Sequence, residues 1–177
     1  IGYYELHARR APMAQQNPTE RLVSLDAFRG LTMALMVLVN DAGDTVSENA
    51  GEGTDLVKSS VSWTLGANLE NLTLTGNNSV SATGNSGNNV ITGNAGSNTL
   101  YGNGGTDTLA GGAGNDTYIV DLATIALSEG LDQGADTVLA SLNWTLGNNL
   151  ENLTLTGGNA LNGGGNALAN TLSGNEA

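Results

Sequence analysis

Short polar stretches rich in glycine separate single large apolar residues over much of the chain, and between residues 84 and 119 the spacing is nine. Four nonapeptides follow one another there: GNSGNNVIT, GNAGSNTLY, GNGGTDTLA and GGAGNDTYI. Positions one and four are glycine, position six is Asn or Asp, and position eight is large and apolar. Glycine weakens helices and strand interiors, so this period predicts tight turns alternating with short strands. We expect the position-eight side chains to fill a core.

A longer repeat encloses the short one. Residues 47–96 align without a gap with residues 128–177, at an offset of 81, and 25 of the 50 positions are identical. Apolar residues fall at alternate positions in both copies, for example Trp63 and Leu65, or Trp144 and Leu146, which is typical of strands. A Gly-Ala-Asn or Gly-Asn-Asn turn joins the two strands of each copy.

These repeats predict an all-β fold, a parallel β-roll or β-solenoid with interspersed strand segments, preceded by a short N-terminal helix. Two nonapeptides should form one coil, so turns eighteen residues apart should stack. The predicted organisation is a tail with an apolar helix, a first spacer unit, a nonapeptide block, a second spacer unit and the start of another block, over residues 1–40, 41–83, 84–121, 122–164 and 165–177 respectively.

Stacked turns should bring oxygen ligands together. The coil period predicts that Asp107 lies over Asn89 and Asp116 over Asn98, with Asp136 closing over Asp116. Carbonyl oxygens of turns bent at glycine should point into the same space. The candidate metal ligands and turn residues are Asp55, Asn89, Asn98, Gly105, Asp107, Gly114, Asp116 and Asp136. An oxygen cage favours calcium over magnesium, and zinc and copper lack ligands because the chain has no Cys and only His7.

The segment GNGGTDTLAGGAGNDTYIVD resembles the repeats-in-toxin (RTX) family, whose signature is G-G-x-G-x-D-x-U-x with U large and apolar. The resemblance covers about residues 41–177. It implies a parallel β-roll, calcium between stacked turns and export by a type I system. By position, Asp107 and Asp116 match the ligand aspartates. Asn89, Asn98 and Asn170 depart from the pattern, and their neutral amides predict weaker or empty sites.

Other interpretations stay open for several residues. The repeats could form a metal-free solenoid held by asparagine ladders. Asp55 and Asp136 could be ligands or solvated turn residues, and Glu48 and Glu52 are interpreted as solvated turn charges. Trp63 and Trp144 are interpreted as packing residues.

The net charge limits the kinds of partner that the chain can bind. The net charge is −12, and beyond residue 40 only Lys58 stands against fourteen acidic residues, which leaves −13. Nucleic acid is therefore excluded as a partner and cations are expected. We expect no enzyme activity, because His7 is the only histidine and no serine has a histidine base in its neighbourhood.

The first forty residues lack the nonapeptide pattern and contain an apolar stretch instead. Gly30 to Val39 is apolar apart from Thr32, and ten residues are too few to span a bilayer. RLVSLDAFRGLTMALMVLVN resembles the first transmembrane helix of acyltransferases related to heparan-α-glucosaminide N-acetyltransferase, without any catalytic part of that family. The 81-residue correspondence stops near residue 38, which predicts a chimeric reading frame or a fragment. A missing initiating Met and an end within a repeat, at GNEA, are expected of a fragment. The alternative is a genuine membrane anchor, with membrane contact confined to residues 22–39.

The predicted function is a calcium-binding module of a secreted bacterial protein, located outside the cell or on its surface. Calcium ions and the type I secretion machinery are the expected partners, and the module should fold on calcium after export. The alternative is a structural or adhesive surface solenoid that calcium only stiffens.

Overall fold

A computed structural model describes residues 22–24 and 36–177, and every regular element in these ranges is a β-strand. The strands are short, in keeping with a turn every nine residues. They are β1 (Leu22–Ser24), β2 (Met36–Val39), β3 (Thr45–Ser47), β4 (Leu56–Ser59), β5 (Trp63–Thr64), β6 (Asn71–Leu74), β7 (Ser81–Thr83), β8 (Val90–Thr92), β9 (Thr99–Tyr101), β10 (Thr108–Ala110), β11 (Thr117–Val120), β12 (Ala126–Ser128), β13 (Thr137–Ala140), β14 (Trp144–Thr145), β15 (Asn152–Leu155), β16 (Gly163–Gly164) and β17 (Thr171–Ser173).

Every strand pairs in parallel with the strand two elements away. One sheet has six strands in the order β12-β10-β8-β6-β4-β2, and a second has seven in the order β17-β15-β13-β11-β9-β7-β5. The pairs β1-β3 and β14-β16 complete the set. Since even strands pair with even and odd with odd, the chain changes face at each turn. The predicted parallel β-solenoid is confirmed.

The register fixes the length of each coil. Thr108 pairs with Val90 and Thr117 with Thr99, so a coil of the nonapeptide block has the expected eighteen residues. The second spacer unit departs from this length. Thr137 lies beside Thr117, and then beside Asn152, so one coil there has twenty residues and the next has fifteen.

A single layer of apolar side chains fills the space between the two sheets. The position-eight residues Ile91, Leu100, Leu109 and Tyr118 are completely buried, as predicted. Side chains alternate between the two faces of a strand, so one inward residue per nonapeptide is enough to line the core. The spacer units continue this layer with buried residues such as Leu72 and Leu153.

The two strands that a Gly-x-Asn turn joins do not pair with each other. In the first spacer unit β5 pairs with β7, while β6 pairs with β4 and β8. The turn carries the chain from one face to the other, with Asn68 at a φ of 67° and its counterpart Asn149 at 59°. Each spacer unit is therefore a stretch of solenoid with unequal coils.

Strand β2 belongs to the solenoid although it lies before the boundary that the sequence predicts at residue 40. It pairs with β4, and Val37 and Val39 are 4% and 3% exposed in the core. Alternate valines supply the inward side chains that an added strand needs, although this stretch lacks the glycines of a nonapeptide. In the region of the predicted N-terminal helix, residues 22–24 form β1 and residues 36–39 form β2. The other residues of that helix lie outside the described residues. Within the described ranges, no helix has the length and apolar character to cross a membrane.

Candidate metal sites

The turns of the nonapeptides are of two kinds. Three turns carry Asn at positions two and six of the nonapeptide, and we call them asparagine turns. Two carry Asp at position six, and we call them aspartate turns. The asparagine turns are 84–89, 93–98 and 165–170; the aspartate turns are 102–107 and 111–116.

An asparagine turn is closed by its own side chains. Asn85 Nδ2 donates to the carbonyl oxygens of Gly66 and Leu69 in the preceding coil, at 2.6 and 2.7 Å, and its Oδ1 accepts from the Gly87 N–H at 2.8 Å. Asn89 Oδ1 accepts from the Asn85 N–H at 2.8 Å, and its Nδ2 donates to Leu69 O at 3.0 Å. Two side-chain amides thus bridge carbonyls that would otherwise converge unpaired.

The other asparagine turns repeat this arrangement. Asn98 Oδ1 accepts from the Asn94 N–H at 2.8 Å, and its Nδ2 donates to Val80 O at 3.0 Å. Asn170 Oδ1 accepts from the Asn166 N–H at 2.7 Å. The hydrogen-bonding groups of Asn89, Asn98 and Asn170 are engaged within the protein, so these turns are stabilised without a metal ion.

The position-two asparagines were missed in the sequence analysis, which treated only positions one, four, six and eight. A signal was present, because the column is nearly uniform. It reads Asn85, Asn94, Asn103 and Asn166, and then Asn175 in the last nonapeptide, with Gly112 as the exception.

The aspartate turns have a different backbone. Asn103, Gly104 and Gly105 have φ angles of 63°, 110° and 78°, and Gly112 and Gly114 have 91° and 115°. Residues 84–101, all of them described, contain no positive φ. Among the four nonapeptides of residues 84–119, position-four glycine therefore has a positive φ at Gly105 and Gly114 only, a conformation that glycine adopts without strain.

Asp107 is held by one oxygen and leaves the other without a partner. The residue is 1% exposed, and Oδ1 accepts from the Asn89 N–H at 2.8 Å. Oδ2 is buried and has no hydrogen-bond partner among the described residues. It lies against the Cα of Gly102, where a Cβ would collide with it, which explains glycine at position one. Burial raises the Asp107 pKa, and the Asn89 N–H opposes that shift.

Asp116 has the same arrangement on the opposite face. Oδ1 accepts from the Asn98 N–H at 2.7 Å, and Oδ2 is buried without a partner in the described part of the chain. The Asp116 N–H in turn donates to Asp136 Oδ1 at 2.7 Å. The three predicted stackings, of Asp107 on Asn89, Asp116 on Asn98 and Asp136 on Asp116, are confirmed.

The stack of residues that contains Asp107 and the stack that contains Asp116 differ in the next coil. Asp136 stands beyond Asp116, whereas the apolar Ile125 stands beyond Asp107, as the register of β10 with β12 requires. Burial raises the Asp116 pKa to about 6, with a further contribution from the charge of Asp136. The Asp136 pKa is also raised, chiefly by burial.

Asp55 and Asp136 are not solvated, because each is 1% exposed. The Asp55 N–H donates to Glu70 Oε2 at 3.0 Å, and carboxylate oxygens of Glu48, Asp55 and Glu70 lie within 4.8 Å of one another. The interpretation of Glu48 as a solvated turn charge is wrong, since Oε2 of Glu48 is buried. The pKa of Glu48 is raised to about 8, first by burial and then by a hydrogen bond with Asp55.

The donor set suits a hard divalent cation. Carboxylate and carbonyl oxygens are the ligands that calcium prefers, and it accepts irregular arrangements of six to eight of them. A buried carboxylate without a partner is unfavourable unless it binds a cation or takes up a proton. Asp107 and Asp116 each present one such oxygen, so these two residues fit calcium, with Asn89 and Asn98 as their stacking neighbours.

The comparison with known families agrees with this geometry. Residues 83–118 match the sequence model of the RTX calcium-binding nonapeptide repeat (4 copies). The nonapeptides are RTX repeats in a β-solenoid, and the ion of such repeats is Ca²⁺. No curated protein and no solved structure shows a significant match to the chain.

Proposed function

We propose that this chain is a calcium-binding repeat module of a secreted bacterial protein, and that it folds on calcium after type I export. The observation that carries the proposal is the pair of aspartate turns, each with one buried carboxylate oxygen that lacks a partner among the described residues. Without an ion, each turn buries an unfavourable charge.

Charge supports a dependence of folding on calcium. Residues beyond 40 carry fourteen acidic groups and only Lys58 to offset them, so the folded chain suffers self-repulsion when no cation is bound. An ion that binds only the folded state stabilises it by about 2.7 kcal/mol per site at a hundredfold excess over Kd. Scarce cytosolic calcium would keep the chain unfolded for export, and abundant calcium outside would fold it. RTX repeat proteins are typically secreted.

A structural or adhesive surface solenoid is the second candidate, and the asparagine turns favour it. The side chains of Asn85 and Asn89 close their turn on the previous coil through hydrogen bonds alone. If such turns were sufficient, the solenoid would form without metal and calcium would only stiffen the aspartate turns.

Circular dichroism of the full chain separates the two. The protein is stripped of metal on a chelating resin and titrated with calcium, and a parallel sample is titrated with magnesium at equal ionic strength. The proposed function requires a disordered spectrum that becomes β-rich in calcium but not in magnesium. A spectrum already β-rich in the stripped protein, and unchanged by calcium, would support the surface solenoid instead.

The variant Asp107→Asn is the matched test of the site. It preserves size and the oxygen that accepts from the Asn89 N–H, but removes the charge. The calcium midpoint should rise relative to Asp132→Asn, which removes an equal charge from an exposed residue. Equal midpoints for the two variants would show that overall charge, and not the aspartate turn, sets the response.

A further inference from the structure

Glu129 reaches from the second spacer unit into the last aspartate turn. It follows β12 directly, and its Oε1 accepts from the Gly111 N–H at 3.0 Å and from the hydroxyl of Tyr118. Gly111 is position one of the nonapeptide that contains Asp116 and Tyr118, and it lies eighteen residues before Glu129. The glutamate is therefore held over the turn from the following coil.

Three carboxylates meet at this point. Oxygens of Asp116, Glu129 and Asp136 lie within 4.8 Å of one another. Asp116 and Asp136 are each 1% exposed. Asp116 Oδ2 and Glu129 Oε2 are buried and find no hydrogen-bond partner within the described ranges. Two unpartnered oxygens in a buried cluster of like charges are unfavourable unless a cation or protons neutralise them, and beyond residue 40 the only basic residue is Lys58.

The first spacer unit builds a related cluster from equivalent residues. Glu48 and Asp55 stand 81 residues before Glu129 and Asp136, and there Glu70 completes the group within 4.8 Å. The arrangement is therefore a property of the spacer unit and recurs with it. Asp116 has no acidic counterpart in the first copy, since Leu35 stands 81 residues before it.

We propose that the second spacer unit completes the calcium site of the last aspartate turn, with Glu129 and Asp136 as ligands beside Asp116. It lies mostly outside the matched repeats, which end at residue 118, and Glu129 belongs to no nonapeptide. The ligands are carboxylates from two successive coils, which together suit a divalent oxygen-preferring ion. Only the choice of calcium as the ion rests on the proposed function.

Such a site would join the two kinds of repeat. Asp116 belongs to the block, while Glu129 and Asp136 belong to the spacer unit, so the ion would fix the twenty-residue coil on the last nonapeptide. Without the ion, repulsion among these three carboxylates would weaken the packing of the spacer unit on the nonapeptide block.

The test compares Glu129→Gln with Asp132→Asn in the full chain. Asp132 is an exposed acid of the same spacer unit, and its φ of 56° is one that asparagine tolerates. Isothermal titration with calcium should give one site fewer, or one site at least about tenfold weaker, in Glu129→Gln only. Calcium binding in Glu129→Gln identical to that of the wild type would overturn the proposal. A wild-type chain that binds no calcium would overturn both this proposal and the proposed function.

Terbium luminescence supplies a second measurement. Tyr118 touches Glu129, so tyrosine excitation should sensitise terbium bound at the cluster, and Glu129→Gln should lose most of that emission. If Glu129→Gln fails to fold in calcium, the variant Glu129→Asp provides the test. It keeps the negative charge but shortens the side chain by one methylene, so the carboxylate lies farther from the ion. One weakened calcium site in the folded Glu129→Asp variant supports the assignment, and unchanged affinity refutes it.

Discussion

The N–H of Asp116 donates to Oδ1 of Asp136 over 2.7 Å, across twenty residues of chain. This bond places a second aspartate beside the unpartnered Oδ2 of Asp116, whereas Asp107 has the apolar Ile125 in the equivalent direction. The two aspartate turns are thus unequal, although their nonapeptides match the same pattern.

The inequality predicts an order of calcium affinity. Asp116→Asn should weaken calcium binding more than Asp107→Asn, by roughly tenfold or about 1.4 kcal/mol, because it removes a charge from a site with further carboxylates. Isothermal titration of both variants measures this, with Asp132→Asn as the charge control. A larger loss of affinity in Asp107→Asn would contradict the order.

Asn98→Asp should strengthen calcium binding but destabilise the fold when calcium is absent. In calcium, a carboxylate in place of a neutral amide should strengthen binding beside Asp116. Without calcium, the variant loses the Nδ2 donor to Val80 O, leaves a partly buried carbonyl without that partner, and adds a charge facing Asp116. A calcium titration and the circular dichroism of the calcium-free variant check the two effects, and a gain of β-rich signal without calcium would refute the closure of this turn by the amide of Asn98.

Stability without calcium should fall as the pH rises. The pKa values of Asp116, Glu129 and Glu48 are raised to about 6, 7 and 8, in each case chiefly by burial. A raised carboxyl pKa gives stability that is complete below the unfolded value, about 4, and is lost as the pH passes the folded value. The free energy of unfolding of the metal-free protein should therefore decrease from about pH 4 to 8.

Circular dichroism of the metal-free protein at successive pH values tests this, since the β-rich fraction should fall as the pH rises, and Glu129→Gln should weaken that fall near pH 7. Glu176→Gln, which changes an exposed residue, is the control. With calcium bound the trend should reverse, since protons compete with the ion for the same oxygens. A metal-free protein that gains stability with rising pH would show that the carboxylates are not buried as charges.

Gly102→Ala should disable one aspartate turn without changing any ligand. A Cβ at this position would collide with Asp107 Oδ2, so the carboxylate must move. Calcium affinity should fall, whereas Gly174→Ala, where no atom lies within 4 Å of the added Cβ, should have little effect. Equal titrations for the two variants would mean that Asp107 does not bind through Oδ2.

The sequence by itself determined the solenoid and the stacking of its turns. A nine-residue period with one apolar residue per turn permits few other structures, because only a coil of two nonapeptides brings every such residue to one core. Asp107 over Asn89 and Asp116 over Asn98 follow from the same count. The 81-residue repeat located the spacer units, and Asp136 over Asp116 was expected from its spacing alone.

Only the tertiary structure decided which polar residues are satisfied and which are not. Asn89 and Asp107 occupy the same column, but the amide of Asn89 donates to carbonyls of the preceding coil, and a carboxylate has no hydrogen to donate. Glu48 was interpreted as a solvated turn charge and Glu129 was not singled out, because the sequence does not show which side chains of neighbouring coils cover them. Glu129 reaches Gly111 and Asp116 from the following coil, and burial, a property of neighbouring coils, then sets its charge and its need for an ion.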